Sequence, residues 1–319
     1  MSRPGPRIAG ALGVAPAARP AAARAWWRGM TFRRLALAYA LVAPVVLWRL
    51  ATSLYPFLYT AFLSFFDRSP VRRTFDFVGT DNYVAMTQDP GVHDTVAFTV
   101  FFTVVSVSLQ VVLGLAVAEL LNRRFRFRHV VRAINLLPWA MPLIVIGTAA
   151  NWIFNQDYGL INDIVWRVAG TRPLWLVDPT SARMAVTLTD VWKNTPFLAV
   201  IFIGGLQGIP QELYEAARVD GASGLRAYWS ITLPLLLPLV ITMAIFVAVY
   251  RVLSFDIVYA LTQGGPGTAT SLMSWQVYVQ GFRVLNFGYA SALAIAMFAM
   301  VLVVGLVGYW LLRRAWARL

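Results

Sequence analysis

The 319-residue sequence is 59% hydrophobic, above the roughly half expected of a soluble domain, and its mean hydropathy is positive, so the chain reads as an integral membrane protein. Cysteine is absent, which excludes a disulfide framework and a thiol nucleophile, and the two histidines, His93 and His129, fall in separate loops, which leaves a metal centre little to build on, so no metal is expected. The formal net charge of +13 invites a nucleic-acid reading, but the arginines flank apolar runs, a distribution that suits a bilayer and no nucleic acid.

In chain order, residues 1–34 come first, rich in Ala, Arg, Pro and Gly and without an acid. They lack the layout of a signal peptide and read as a retained, mostly disordered basic arm. Six apolar runs long enough for a bilayer follow, about Leu35–Phe66, Thr95–Leu121, Val130–Phe154, Met184–Ile209, Leu235–Leu261 and Tyr289–Leu312. Pro44 and Pro56 give the first run the means to bend or break, and Pro138 and Pro142 do the same for the third. Arginines concentrate before the first run, between the second and third (Arg123, Arg124, Arg126, Arg128, Arg132) and after the last (Arg313, Arg314, Arg318). The positive-inside rule puts all three regions, and hence both termini, in the cytoplasm. The predicted domains are the arm at 1–34, a six-span region at 35–312 and a cytoplasmic tail at 313–319. Among the outside loops, GLINDIVWRVAG has the apolar spacing of a short helix lying on the membrane, and TQGGPGTATS is a turn segment that cannot continue a helix.

One inside loop, residues 210–233, stands apart. Pro210 opens a helix with Glu212 in its first turn, Glu215 and Arg218 share a polar side, and Gly221 supplies a left-handed cap. A second short helix over about 224–232 is predicted before Pro234 and Pro238 begin the next span. The residues by themselves allow either a membrane-surface hairpin or a small-residue surface that enters a groove in another protein.

The stretch EAARVDGASGLRAYWSITLPLLLP resembles the signature loop of permease subunits of binding-protein-dependent ABC importers, in which Glu-Ala-Ala is followed by a Gly and then by Ile-x-Leu-Pro. Glu215, Ala216, Ala217, Gly221, Ile231, Leu233 and Pro234 match it, and Asp220, Ala222 and Pro238 are also of the common types. YPFLYTAFLSFFD, FVGTDNY, LPWAMPLIV, NWIFNQDYGLIN, VWKNTPF, FDIVYALTQGGPGTAT and FGYASALA, in that order, resemble the carbohydrate-uptake branch, specifically the first permease of the pair (maltose-type or glycerol-phosphate-type). The resemblance covers about Ala38–Leu312. The chain departs from the maltose-type pattern in lacking extra N-terminal spans and a large inserted outside domain.

The resemblance implies an all-α integral membrane protein, a six-transmembrane-helix permease of the type I importer fold in the inner membrane of a bacterium or archaeon. Its cytoplasmic loop would be a coupling helix docked in an ATPase cleft, with Glu215 as an acceptor and Gly221 shaping the turn, within the stretch Glu215, Ala216, Ala217, Asp220, Gly221 and Ala222. It also implies a second homologous permease subunit, two ATPase subunits carrying ATP and Mg, and an external solute-binding protein that delivers a sugar. The chain has one lysine, Lys193, and no Gly-x-x-x-x-Gly-Lys, so a P-loop is ruled out and hydrolysis falls to a separate subunit. No catalytic residue is expected here, and no cofactor in this chain.

Ionisable residues inside spans mark function or structure. Asp190, Lys193 and Asn194 share a helical face and can satisfy one another, whereas Arg251 and Asp256 are five apart and each needs a partner elsewhere. For a sugar pathway, aromatic faces beside hydrogen-bonding groups single out Asn151, Trp192, Asn194, Tyr250, Ser254, Asp256 and Tyr259. The competing functions are an ion-coupled secondary sugar carrier using Asp190 and Asp256, an ABC permease for a phosphorylated polyol such as glycerol 3-phosphate, and a membrane scaffold or sensor.

Overall fold

The computed structural model describes residues 32–316, so most of the predicted basic arm and the last three residues of the tail lie outside the described residues. The chain divides between Leu58 and Tyr59 into two compact units. In the first, α1 (Phe32–Arg49) passes through one π turn, Leu50–Leu54, into the start of α2 (Tyr55–Leu63). Leu37, Leu41, Val45 and Trp48 point outward along it, as lipid-facing side chains do. Pro44 lies inside α1 without ending it. The π turn just before Pro56 accommodates a residue with no N–H to give, so the run bends its hydrogen-bond pattern and does not break.

The second unit opens with a feature outside the helical plan, an antiparallel hairpin of β1 (Phe66–Ser69) and β2 (Thr74–Phe77) with Phe66 opposite Phe77. The first apolar run therefore stops being helical at Leu63, three residues short of the predicted Phe66. After α3 (Asp81–Gln88) come α4 (Pro90–Asn122), α5 (Arg128–Ala140), α6 (Leu143–Ile153), α7 (Leu160–Ala169), α8 (Pro179–Gln207) and α9 (Gln211–Val219). A long helix α10 (Gly224–Val252) follows, then α11 (Asp256–Leu261), α12 (Met273–Tyr278) and α13 (Phe287–Trp316).

The starts of α4 and α8 are written the same way, as Asp-Pro. Asp89 accepts from the Gly91 N–H and Asp178 from the Ser181 N–H, both at 2.8 Å, while Pro90 and Pro179 fill first-turn positions that have no N–H to satisfy. The Ser181 bond holds the Asp178 carboxyl below the usual carboxylate range.

Four helices are long and apolar enough to cross a membrane, Arg34–Leu63, Pro90–Asn122, Gly224–Val252 and Phe287–Trp316, and the count rises to six if two bent pairs are each one span. The third predicted span is such a pair and not one helix, because α5 and α6 meet at 89°. Pro142 forces the residue before it out of helical geometry, and Met141 sits at φ −74°, ψ 141°. The fifth predicted span also needs correction. It ends at Val252, and Asp256–Leu261 is a separate helix because Phe255 turns aside to pack on Tyr259, Trp275 and Tyr278. Conversely, the predicted short helix 224–232 is not separate. A π turn at Tyr228–Thr232 carries it into the span, and Pro234 and Pro238 lie within one continuous helix.

Apolar packing forms two larger clusters. Phe98, Phe102, Phe154, Ile257, Leu272 and Trp275 fill one; Leu198, Phe202, Leu206, Leu236 and Val240 fill the other, where α4, α8 and α10 meet. Beside the second lies a buried polar network. Asp190 on α8 is fully enclosed. Its Oδ1 accepts from Arg251 Nη1 on α10 and from Asn194 Nδ2 at 3.0 Å, and its Oδ2 accepts from Gln110 Nε2 on α4 at 2.8 Å. Lys193 turns away from Asp190 and donates to the Trp139 carbonyl on α5 at 3.0 Å. The predicted mutual satisfaction along one helix therefore holds for Asp190 and Asn194 only. Lys193 and Asp190 lie 300° apart on the helical wheel, close enough for partial alignment, yet the arginine of another helix takes the carboxylate.

A charge enclosed among membrane helices without a partner is costly, so these groups are tolerable only together. Arg251→Met or Asp190→Asn leaves its partner uncompensated and is expected to cost about 3 kcal/mol. The double variant should recover most of that loss. Thermal unfolding of the chain in nanodiscs measures all three, and a double variant as unstable as the sum of the singles would mean the pair is not what holds these helices.

Candidate functional site

Two regions stand out, a protruding helix at one end of the second unit and a pocket beside the polar network. The protruding helix is α9, which leaves α8 at a bend of 69°. Pro210 ends the preceding segment in an extended conformation and begins α9. At its far end Gly221 sits at φ +73°, a conformation that a residue with a Cβ rarely adopts. The Ala222 N–H reaches back to the Ala217 carbonyl at 2.8 Å and the Gly221 N–H to the Arg218 carbonyl at 3.1 Å, closing a Schellman cap. Ser223 then accepts from the Arg226 N–H to start α10.

Glu215, Ala216 and Asp220 are exposed, Ala217 and Ala222 are half-buried, and Val219 is exposed to 88%. Glu215 and Arg218 stand 4.0 Å apart on the solvent side, a separation at which an exposed pair contributes little and the carboxylate stays open to another partner. A side-chain bond ties this helix to the body: the Tyr214 hydroxyl pairs with Thr232 Oγ1 in the π turn at 2.8 Å. Behind α9 is a hollow of about 700 Å³ whose walls include Glu119, Arg124, Arg128, Gln207 and Tyr228. Arg132 on α5 donates twice to the last-turn carbonyl of Leu121 on α4, at 2.7 and 3.1 Å.

The pocket is smaller, about 270 Å³, and lies between α5, α8 and α10. Its walls are Trp139, Asn194, Phe197, Phe246, Val247, Tyr250 and Arg251. Trp139 and Phe197 stack with centroids 5.2 Å apart, and Phe246 lies 4.8 Å from Tyr250. Asn194 and Arg251 supply polar edges, both anchored from behind by Asp190. An aromatic-walled cleft with a few fixed hydrogen-bonding groups is the construction that small polar ligands use.

Of the seven residues expected along a sugar path, the structure brings Asn194 and Tyr250 together and disperses the rest. Trp192 lies two positions from Asn194, about 200° around the helix, and is 56% exposed on the opposite side. Asn151 donates to the Leu261 carbonyl at 2.8 Å and so fastens α6 to α11. Tyr259 packs in the aromatic cluster with Phe255, Trp275 and Tyr278. Ser254 lies just past the end of α10, its carbonyl accepting from the Ser274 hydroxyl, and Asp256 is exposed in the first turn of α11. The pocket residues absent from the expectation were partly legible. Phe197 follows Asn194 by three and Tyr250 follows Phe246 by four, so each pair shares a face. Trp139 comes from another helix, α5, and no spacing within α8 or α10 points to it.

Residues 110–317 match the family model described as "Binding-protein-dependent transport system inner membrane component". The chain is 37% identical over 276 residues to the sulfoquinovosyl glycerol transport system permease protein SmoG of Agrobacterium fabrum, covering 86% of this chain and 90% of that protein. It is 39% identical over 277 residues to the trehalose/maltose transport system permease protein MalF of Thermococcus litoralis, covering 86% and 92%. Its fold is similar to that in the crystal structure of a bacterial ABC transporter involved in the import of the acidic polysaccharide alginate, with a TM-score of 0.78 at 21% identity over 91% of this chain and 99% of that one. The chain therefore belongs to the family of inner membrane components of binding-protein-dependent transport systems.

Proposed function

We propose that this chain is a permease subunit of an ATP-driven importer for a sugar, and that α9 is the element through which an ATPase moves it. The observation that carries the coupling role is the exposed, Schellman-capped helix Gln211–Val219, which stands off the body at a bend of 69° and bears the Glu215 carboxylate on its open side. A short rigid helix with small side chains suits a cleft in a partner protein, and the Tyr214–Thr232 bond is a strut from that helix to α10, which carries Tyr250 and Arg251 at its far end. A push on α9 is thereby delivered to one wall of the pocket.

The chain supplies no P-loop, so ATP and Mg belong to partner subunits. The reading includes a second permease completing the pathway, one ATPase docked on each permease, and an external protein that delivers substrate, with both termini of this chain cytoplasmic. A sugar is favoured because the pocket combines ring-sized aromatic faces with Asn194 and Arg251 donors, and because similar proteins are named for trehalose/maltose and sulfoquinovosyl glycerol transport. An ion-coupled carrier needs a carboxylate free to exchange ions. Of the two carboxylates this reading would use, Asp190 has both oxygens occupied by Arg251, Asn194 and Gln110 and Asp256 is exposed on α11, outside the pocket lining, which speaks against it.

Glu215→Lys with Gly221→Pro places a cation where an acceptor is needed and imposes a negative φ where +73° is found. Co-purification from native membranes should show the second permease retained and the ATPase lost; retention of the ATPase by the double variant would refute the docking role. In the pocket, Tyr250→Ala and Asn194→Ala each remove a contact of about 1 kcal/mol or somewhat more, and the substrate KM of transport should rise about tenfold. Trp192→Ala should leave transport within about twofold. A reversed pattern, with Trp192 sensitive and Tyr250 silent, would move the path to the other side of α8.

A further inference from the structure

The aromatic walls of the pocket do not distinguish a neutral sugar from a charged one, but the charges around it do. Three ionisable side chains are buried beside it, Asp190, Lys193 and Arg251, two cations and one anion. The anion is spent. Asp190 Oδ1 accepts from Arg251 and Asn194, and Oδ2 from Gln110, so the carboxylate presents no free oxygen to the pocket. The cations are not spent. Arg251 lines the pocket at 8% exposure, and its guanidinium gives one N–H to Asp190. A guanidinium has five N–H donors in a planar fork, so most of its donating capacity remains. Lys193 gives one N–H to the Trp139 carbonyl, directly behind a residue of the pocket wall.

A buried site with one net positive charge and an arginine short of acceptors is costly when empty and favours an acceptor that is itself negative. We propose that this pocket selects an acidic sugar, a hexose carrying a carboxylate, sulfonate or phosphate, with the sugar ring held between Trp139, Phe197, Phe246 and Tyr250 and its anion read by Arg251 with Lys193 supplying the balancing charge. The proposal rests on the pocket being the sugar site and adds the class of sugar. Asp190 becomes a positioning residue in this scheme: its bond to Nη1 anchors the guanidinium at the pocket wall.

The test uses the complete transporter, this chain with its partner permease, ATPases and external binding protein, in nanodiscs. Ligand-observed NMR titrations compare glucose, glucuronate and 6-deoxy-6-sulfoglucose. Both anions should bind about tenfold more tightly than glucose, the difference between charge-assisted and neutral hydrogen bonds, and high salt should narrow the gap. Lys193→Met leaves the Asp190–Arg251 pair in place and should bring the preference towards parity while glucose still binds. The paired change Asp190→Asn with Arg251→Met removes the guanidinium that reads the anion, leaves Lys193 as the remaining buried cation, and should likewise narrow the preference. Equal binding of the three sugars by the unaltered transporter, or a preference that survives both variants, overturns the charge reading and leaves a neutral-sugar pocket. If none of the three binds while the ATPase remains attached, the pocket is not the sugar site, and this proposal falls with it although the coupling role of α9 does not.

Discussion

A carboxylate and a guanidinium enclosed between membrane helices hold each other charged only while both stay in place, and that condition governs the centre of this molecule. Asp190 on α8 binds Arg251 on α10 and Gln110 on α4, so three helices from separate parts of the chain share one carboxylate. Apolar packing between helices is weak as a specifier in lipid, where side chains lose nothing by facing acyl chains. The polar network fixes the register of α8 against α10, and the aromatic residues of both helices are thereby set opposite one another as the walls of a pocket.

That register also links the two functional regions. The helix α10 is continuous from Gly224, beside the protruding α9, to Val252, one residue beyond Arg251. At one end it receives the Tyr214–Thr232 bond from α9; at the other it presents Tyr250 and Arg251 to the pocket. Because the backbone hydrogen bonds of a helix resist axial compression, the proposed displacement of α9 would reach the pocket without any long chain of side-chain contacts. The π turn at Tyr228–Thr232 is the place in this rod where the geometry is already irregular, and such turns often occur at functional sites.

The sequence was readable wherever a local rule acted alone. The left-handed Gly221, the helix 160–169 and the break at Pro142 all follow from a few adjacent residues, whereas the Asp-Pro starts of α4 and α8 lie five residues ahead of the apolar runs expected from Thr95 and Met184. The same local rules misjudged the prolines at 234 and 238, since first-turn and π-turn geometry lets a helix run through positions where an isolated proline would stop it. They also missed the hairpin at 66–77, whose strands are four residues each, with Phe66 stacked on Phe75 and meeting Phe77 edge-on.

By itself the sequence determined the membrane class, the approximate spans, the exposed loop with its glycine cap and the kinship that its Glu-Ala-Ala pattern carries, because each depends on composition or on residues close together in the chain. The tertiary structure alone decided which charge pairs with which. Arg251 and Asp190 are 61 positions apart, and no spacing rule could prefer that pairing over Asp190 with Lys193. It likewise decided that Asn194 and Tyr250 face one pocket while Trp192, Asn151 and Tyr259 do not. A side chain's neighbours across a helix interface are set by the rotation of both helices, and in this protein that rotation is fixed by a buried ion pair whose two halves the chain brings together only on folding.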